Sequence, residues 1–194
     1  MPKVGMEPIR KAALVKATIV ELGRAGSLDV TVSQIAKRAG MSSALAHHYF
    51  GSKEEMFLAA MRHVLTLYGA EVRGALAVAS TPEGRLRAVL LANFSAGNFR
   101  REVIGAWLNF YVLAQTVPEA SRLLRVYQGR LRSNLLVGLR PLAGAKAEEL
   151  ADGLGALIDG VYLREALKLG TPDGKLAAAM AFNYLKPQIK GFDS

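Results

Sequence analysis

The stretch Thr31–Lys53, TVSQIAKRAGMSSALAHHYFGSK, restricts the fold more than any other part of the chain. Thr31 followed by Gln34 is a capping box that starts a helix at Val32. Val32, Ile35, Ala36 and Ala39 give that helix a narrow apolar face, with Ala36 small enough for a close helix crossing. Gly40 stands where a chain leaving a helix wants a positive φ. Ser42 can cap a second helix through Phe50, and Ser52 with Glu55 starts a third at Lys53. Helix starts this close, joined by tight turns, predict a helix-turn-helix whose second helix enters the DNA major groove.

The remaining chain reads as helix throughout, so the expected fold is all-α with about nine helices. A helix-turn-helix DNA-binding domain is expected over residues 1–52, and a ligand-binding and dimerisation domain over 53–194. The first helix starts near Pro8, carries an apolar stripe of Ile9, Ala13, Ala17 and Val20, and ends at Gly23 and Gly26. A long fourth helix follows from Lys53 to about Ala79, with Phe57, Ala60, Val64, Tyr68 and Val72 on one face. It can act as a lever between reader and body. Thr81-Pro82 caps a helix ending near Gly97. A nearly all-apolar helix covers Val103–Thr116, stopped before Pro118. The next runs to about Arg140, with Leu124, Leu131 and Leu135 on one face, and Pro141–Lys146 is expected as a loop. Ala147–Leu169 and a helix from Thr171-Pro172 to about Lys186 complete the chain.

Charge and composition decide what kind of partner to expect. The net charge of +9 favours an anionic partner such as nucleic acid. The excess is not concentrated in the reader, because Lys and Arg also outnumber Asp and Glu in the body. The motif therefore carries the DNA argument. Cysteine is absent, which removes disulfides and thiolate metal sites and suits a cytoplasmic location. No signal-peptide core or membrane-spanning run appears. There is no P-loop, no G-x-G-x-x-G and no cysteine nucleophile, so an enzyme is not expected, and neither is a cofactor. His47 and His48 are adjacent on a helix and diverge by about 100°, so no metal site is expected there.

Positions at the start of the second motif helix reach base edges. These are Ser43, Ala44 and His47, with His48 toward a base or the backbone, and the capping Ser42 is counted with them as a DNA-binding residue. Lys53, Thr31, Tyr49 and Ser52 are candidates for phosphate, as are Lys3, Arg10 and Lys11 near the first helix. In the body, Trp107, Phe110 and Tyr111 share one helix face, and Phe94, Tyr127 and Tyr162 lie on neighbouring helices. Asp159 is one turn before Tyr162 in an apolar stretch. Aromatic faces with a carboxylate suit a quaternary ammonium ion. The same residues also fit a plain core in which Asp159 pairs with Arg164 or Arg130.

The stretch MSSALAHHYFGSKEEMF resembles the DNA-binding end of the TetR family of transcriptional regulators. PKVGMEPIRK, LDVTVSQIAKRAGMS, HYF, MRHV, AWLNFY, RLRSNLL and ALIDGVYLREAL are similar to the choline-sensing repressors of glycine betaine synthesis within it. The resemblance implies a repressor that binds a palindromic double-stranded DNA operator. It implies a small cationic ligand, choline or betaine aldehyde, in the body. It also implies a homodimer through the last two helices, where Leu150, Leu154, Leu157 and Val161 form a stripe and Gly153, Gly155 and Gly160 allow close approach.

Overall fold

The computed structural model describes residues 5–189; Lys3 lies outside them. Among the described residues there are nine α-helices, one short 3-10 turn and no strand. In chain order they are α1 (Met6–Ala25), α2 (Val32–Arg38), α3 (Ser43–Phe50), α4 (Lys53–Val78), α5 (Pro82–Asn93), α6 (Arg101–Leu113), α7 (Pro118–Ala143), α8 (Ala147–Leu167) and α9 (Gly174–Leu185). Helices α1–α3 and the start of α4 form the reader, and the others pack into the body beneath it.

Local chemistry starts and stops most of these helices. Thr31 Oγ1 accepts from the Gln34 backbone N–H while the Gln34 side chain accepts from the Thr31 N–H, which completes the capping box. Ser42, Ser52, Thr81 and Asp173 each accept from a backbone N–H at the head of α3, α4, α5 and α9. Gly40 turns the chain between α2 and α3 at φ 68°, a conformation that disfavours any side chain. On α4 the expected stripe of Phe57, Ala60, Val64, Tyr68 and Val72 is buried along its whole length.

The structure departs from the sequence reading at several points. The face of α1 that is buried carries Leu14, Ala17, Thr18 and Leu22; Ile9 is 63% exposed. The stripe is rotated because α1 lies between α4 and α6 and must serve both. Gly23 does not end α1, which continues to Ala25 before Gly26 closes it at φ 64°. A Cβ on Gly23 would come within 2.5 Å of the Glu102 backbone, and one on Gly105 within 2.7 Å of the Gly23 Cα. Two glycines thus let α1 and α6 cross almost backbone to backbone. Asn109, buried in α6, donates to the Leu22 carbonyl at 3.2 Å and to the Gly105 carbonyl at 2.9 Å, so the crossing adds a second donor to a carbonyl that the Gly26 N–H already caps.

Helix α5 ends at Asn93 rather than near Gly97, because the Asn98 side chain takes the Ala92 carbonyl at 2.9 Å and Asn93 bonds back to Val89 at 2.8 Å. Helix α6 correspondingly spans Arg101–Leu113. Pro141 sits inside α7, which runs on to Ala143, so the expected loop shrinks to Gly144–Lys146. A proline in a last turn removes only one backbone bond, and the helix end tolerates it. Finally, Leu150, Leu154 and Val161 of α8 are buried inside their own chain together with Ile158, while Leu157 is half-buried. That stripe is core and not a free pairing face. Gly153 is filled from within by the Tyr184 ring of α9, whereas nothing lies within 4 Å of a Cβ at Gly155 or Gly160.

Candidate functional site

The reader presents α3 outward. Only Ala46 of α3 is fully buried, against the rest of the reader, and Ala44, His47 and His48 are exposed. Ser42 is committed to its cap and Ser43 is half-buried at the first position of the helix. The His47 Nδ1–H points back to the Gly51 carbonyl at 3.1 Å, which leaves the other ring nitrogen facing outward. Tyr49 is half-buried; its hydroxyl accepts from Arg10 at 3.5 Å and Lys11 sits 5.9 Å over its ring. Arg10 and Lys11 are thereby gathered beside α3. Arg38 of α2 pairs with Glu21 of α1 and locks the two helices together. Thr31 is exposed at the head of α2. Lys53 is turned inward: its ammonium donates to the Leu28 carbonyl at 3.2 Å and lies 5.7 Å from the Phe57 ring, so its side chain secures the loop before α2.

The aromatic residues of the body do come together. Trp107 of α6 lies 4.6 Å from Tyr127 of α7, 5.8 Å from Tyr111 and 6.5 Å from Tyr162 of α8, ring centre to ring centre. Phe94 stands 6.3 Å from Tyr162, whose hydroxyl donates to the Asn93 carbonyl at 2.6 Å. Phe110 is placed differently. Although it touches Trp107 at 5.9 Å, it lines a crevice with Leu22 of α1 and Phe57 and Met61 of α4, at the junction of reader and body.

Asp159 is half-buried and accepts from the Tyr111 hydroxyl at 2.9 Å. Among the described residues neither Arg164 nor Arg130 pairs with it. Burial pushes its carboxyl above the ordinary carboxylate range, and the Tyr111 hydrogen bond offsets only part of this. The phenols around it are pushed far above the ordinary range, first by burial and then by one another and by Asp159. They are neutral hydrogen-bonding groups with π faces.

Two members of this cluster were not predicted. Phe99, in the loop before α6, meets Tyr162 edge-on at 5.0 Å and Phe94 at 5.3 Å. Tyr68 of α4 lies 5.7 Å from Tyr127. Tyr68 and Tyr127 also form part of the floor of an open groove of about 700 Å³ between α4 and α7. Phe99 gives no sequence signal because it lies in a loop. Tyr68 reads as one more core position of α4. No cluster of three or more metal-ligating side chains occurs among the described residues, and no described helix is long and apolar enough to cross a membrane.

Comparison with known proteins agrees with this division. Residues 14–60 match the family of bacterial regulatory proteins, tetR family, and residues 82–190 match the BetI-type transcriptional repressor C-terminal family. The HTH-type transcriptional regulator BetI of Brucella suis is 49% identical over 98% of this chain and 97% of its own length. That of Rhizobium meliloti is 46% identical over 98% and 94%. A transcriptional regulator from Saccharomonospora viridis, solved in complex with choline, superposes with a TM-score of 0.79 at 21% identity over 92% of this chain and 96% of that one. These relatives are regulators and not enzymes. On identity of this extent the chain belongs to the TetR family of transcriptional regulators and, within it, to the BetI-type repressors.

Proposed function

We propose that this repressor binds a palindromic operator as a homodimer, and that choline or betaine aldehyde, bound in the Trp107–Asp159 cluster, sets its DNA affinity and so controls glycine betaine synthesis from choline. The observation that carries the ligand reading is Asp159. It is a half-buried carboxylate among aromatic faces, and among the described residues its only hydrogen bond comes from a neutral hydroxyl. A buried charge without a cationic partner is costly. A quaternary ammonium supplies that partner and is held by the faces of Trp107, Tyr111, Tyr127 and Tyr162, with Phe94 closing the cluster. The choline in the Saccharomonospora viridis structure supports the same chemistry for this fold. Phe110 backs the Trp107 ring from the reader junction and would not itself line this site.

Two copies would pair through the outer faces of α8 and α9, where Leu163 and Leu167 on α8 and Leu176 and Met180 on α9 are exposed and Gly155 and Gly160 leave room for a close approach. In each copy, Ser43, Ala44, His47 and His48 are placed to meet bases or backbone. Thr31, Tyr49 and Ser52 would meet phosphate, with Arg10 and Lys11 beside Tyr49, and Ser42 would hold the head of α3 against the DNA through its cap. The Lys53 contribution to phosphate would come through its place at the head of α4, since its ammonium serves Leu28. No Arg, Asn or Gln reaches out from α3 to pair bidentately with a base, so half-site spacing and DNA shape carry much of the specificity.

The test uses the single tryptophan. The protein is titrated with choline and followed by Trp107 fluorescence, with and without operator DNA. A saturable change that also alters operator affinity is expected. Absence of any response to quaternary amines removes the ligand reading. Equal affinity for a candidate operator and for random DNA at physiological salt removes the DNA reading.

A further inference from the structure

The hydroxyl of Tyr68 is buried and has no hydrogen-bond partner among the described residues. Tyr68 itself is 9% exposed. The Asn93 amide lies nearby only as a donor and gives its hydrogen bond to the Val89 carbonyl, so the Tyr68 O–H itself has no acceptor among the described residues. Buried polar groups are almost always paired, so an exception calls for a physical reason. No apolar pressure demands a tyrosine here, because phenylalanine would fill the same volume without stranding a donor.

The position of the hydroxyl suggests the reason. Tyr127 and Tyr162 each feel both Tyr68 and Asp159 electrostatically, so the two groups flank the same pair of phenols. Tyr68 comes from α4 and Asp159 from α8. Between them stand the rings of Tyr127, Trp107 and Tyr162. The cluster therefore has two poles. One is a carboxylate that attracts a cation, and the other is a neutral O–H with nothing to donate to.

We infer that Tyr68 is the second pole of the ligand site: it donates a hydrogen bond to an oxygen carried by the quaternary ammonium ligand, and thereby ties ligand occupancy to α4. This rests on the ligand reading above and narrows it to quaternary amines that bear a hydroxyl or carbonyl oxygen. Tetramethylammonium satisfies Asp159 and the aromatic faces but offers Tyr68 nothing. Choline and betaine aldehyde satisfy both poles. Since α4 enters the reader at Lys53, the bond is also a mechanical link between ligand and DNA-binding helices.

The experiment is a pair of Trp107 fluorescence titrations, with choline and with tetramethylammonium, on the wild-type protein and on Tyr68→Phe. The substitution is expected to weaken choline binding by roughly 3–10-fold, the range of one net hydrogen bond, and to leave tetramethylammonium binding unchanged. Because the lost hydroxyl has no partner in the free protein, the melting temperature without ligand should hold or rise. The inference is overturned if the choline-to-tetramethylammonium affinity ratio is the same in both proteins. It is equally overturned if Tyr68→Phe lowers the ligand-free melting temperature, which would reveal a structural partner for the hydroxyl. A wild-type protein that binds neither amine overturns the ligand reading itself, and this inference with it. Wild-type binding of both amines with an unchanged ratio removes only the role of Tyr68.

Discussion

The crossing of α1 and α6 makes a sharp prediction for Gly105→Ala. The new Cβ would stand 2.7 Å from the Gly23 Cα and 2.9 Å from the Gly23 carbonyl oxygen. Ordinary carbon–carbon contact is about 3.5–4.0 Å, so the two backbones must part by about 1 Å. The three nearest atoms all belong to the Gly23 backbone, so no flexible side chain end can simply move aside to relieve them. Overpacking of this kind costs about 1–3 kcal/mol. Replacing a mid-helix glycine by alanine returns up to about 1 kcal/mol of helix propensity. Gly129 of α7 supplies the control, since a Cβ there meets nothing within 4 Å. Gly129→Ala should therefore raise stability by up to about 1 kcal/mol, while Gly105→Ala should lie about 1–3 kcal/mol below it. For a chain of this length each kcal/mol moves the melting temperature by about 2–4 °C. The pair is read by circular dichroism at 222 nm during heating, alongside operator binding. Gly105→Ala melting at or above Gly129→Ala would refute the close crossing. If the crossing also sets how the reader sits on the body, Gly105→Ala should weaken operator binding and Gly129→Ala should not.

Two further outcomes follow from the site. Because burial raises the Asp159 carboxyl above its ordinary value of 3.8, its proton is taken up at a higher pH in the folded chain than in the unfolded one. Choline binding should then weaken as pH falls through that raised value, and binding of the cation should in turn pull the value down. In the same window the carboxylate lowers the stability of the ligand-free protein as pH rises, and Asp159→Asn should remove both dependences; pH-resolved titration and melting of the two proteins check this. Leu163→Glu places a charge on the exposed apolar face of α8 and should turn a dimer into a monomer by sedimentation, with operator affinity falling by at least 10-fold as half the contact is lost. A Leu163→Glu protein that remains a dimer moves the pairing surface elsewhere.

The reader was legible because its determinants are local. A capping box, a glycine at positive φ and a serine cap each act over a few residues, and a sequence displays them directly. The aromatic cluster was legible as a set of side chains on predicted faces, though not in its membership. Phe110 shares helical spacing with Trp107 yet faces the reader junction, since a turn of helix has two neighbours and periodicity does not say which. Gly23 looked like a helix stop. Whether a glycine ends a helix or admits a neighbour depends on what lies across from it, and Glu102 and Gly105 are distant in sequence. The Leu150–Val161 stripe failed for the same reason. An apolar stripe announces burial and leaves the partner open, and here α8 needs it for its own chain. Tyr68 was hidden by agreement with its neighbours: it occupies a proper core position, and only the three-dimensional surroundings show that its hydroxyl is stranded.

These corrections change how a signal could pass from ligand to DNA. The sequence suggests one lever, α4. In the structure the cluster touches the reader through two helices. Tyr68 sits on α4, which runs on into the reader. Trp107 and Tyr111 sit on α6, whose Gly105 and Asn109 grip the end of α1. Under the proposed function, a ligand that draws these walls together would displace α4 and α1 at once. The reader hangs from both, and Arg38 with Glu21 ties α2 to α1, so α3 would move as part of one rigid unit. Coupling of the usual 1–3 kcal/mol, or about 5–150-fold in DNA affinity, is then shared between two routes. Asn109→Ala removes the polar grip of the α6 route and Tyr68→Phe the α4 route. If both carry signal, each alone lowers the coupling in part and the double variant lowers it further. If Asn109→Ala leaves coupling unchanged while Tyr68→Phe abolishes it, α4 is the sole lever and the α1–α6 crossing is only a hinge.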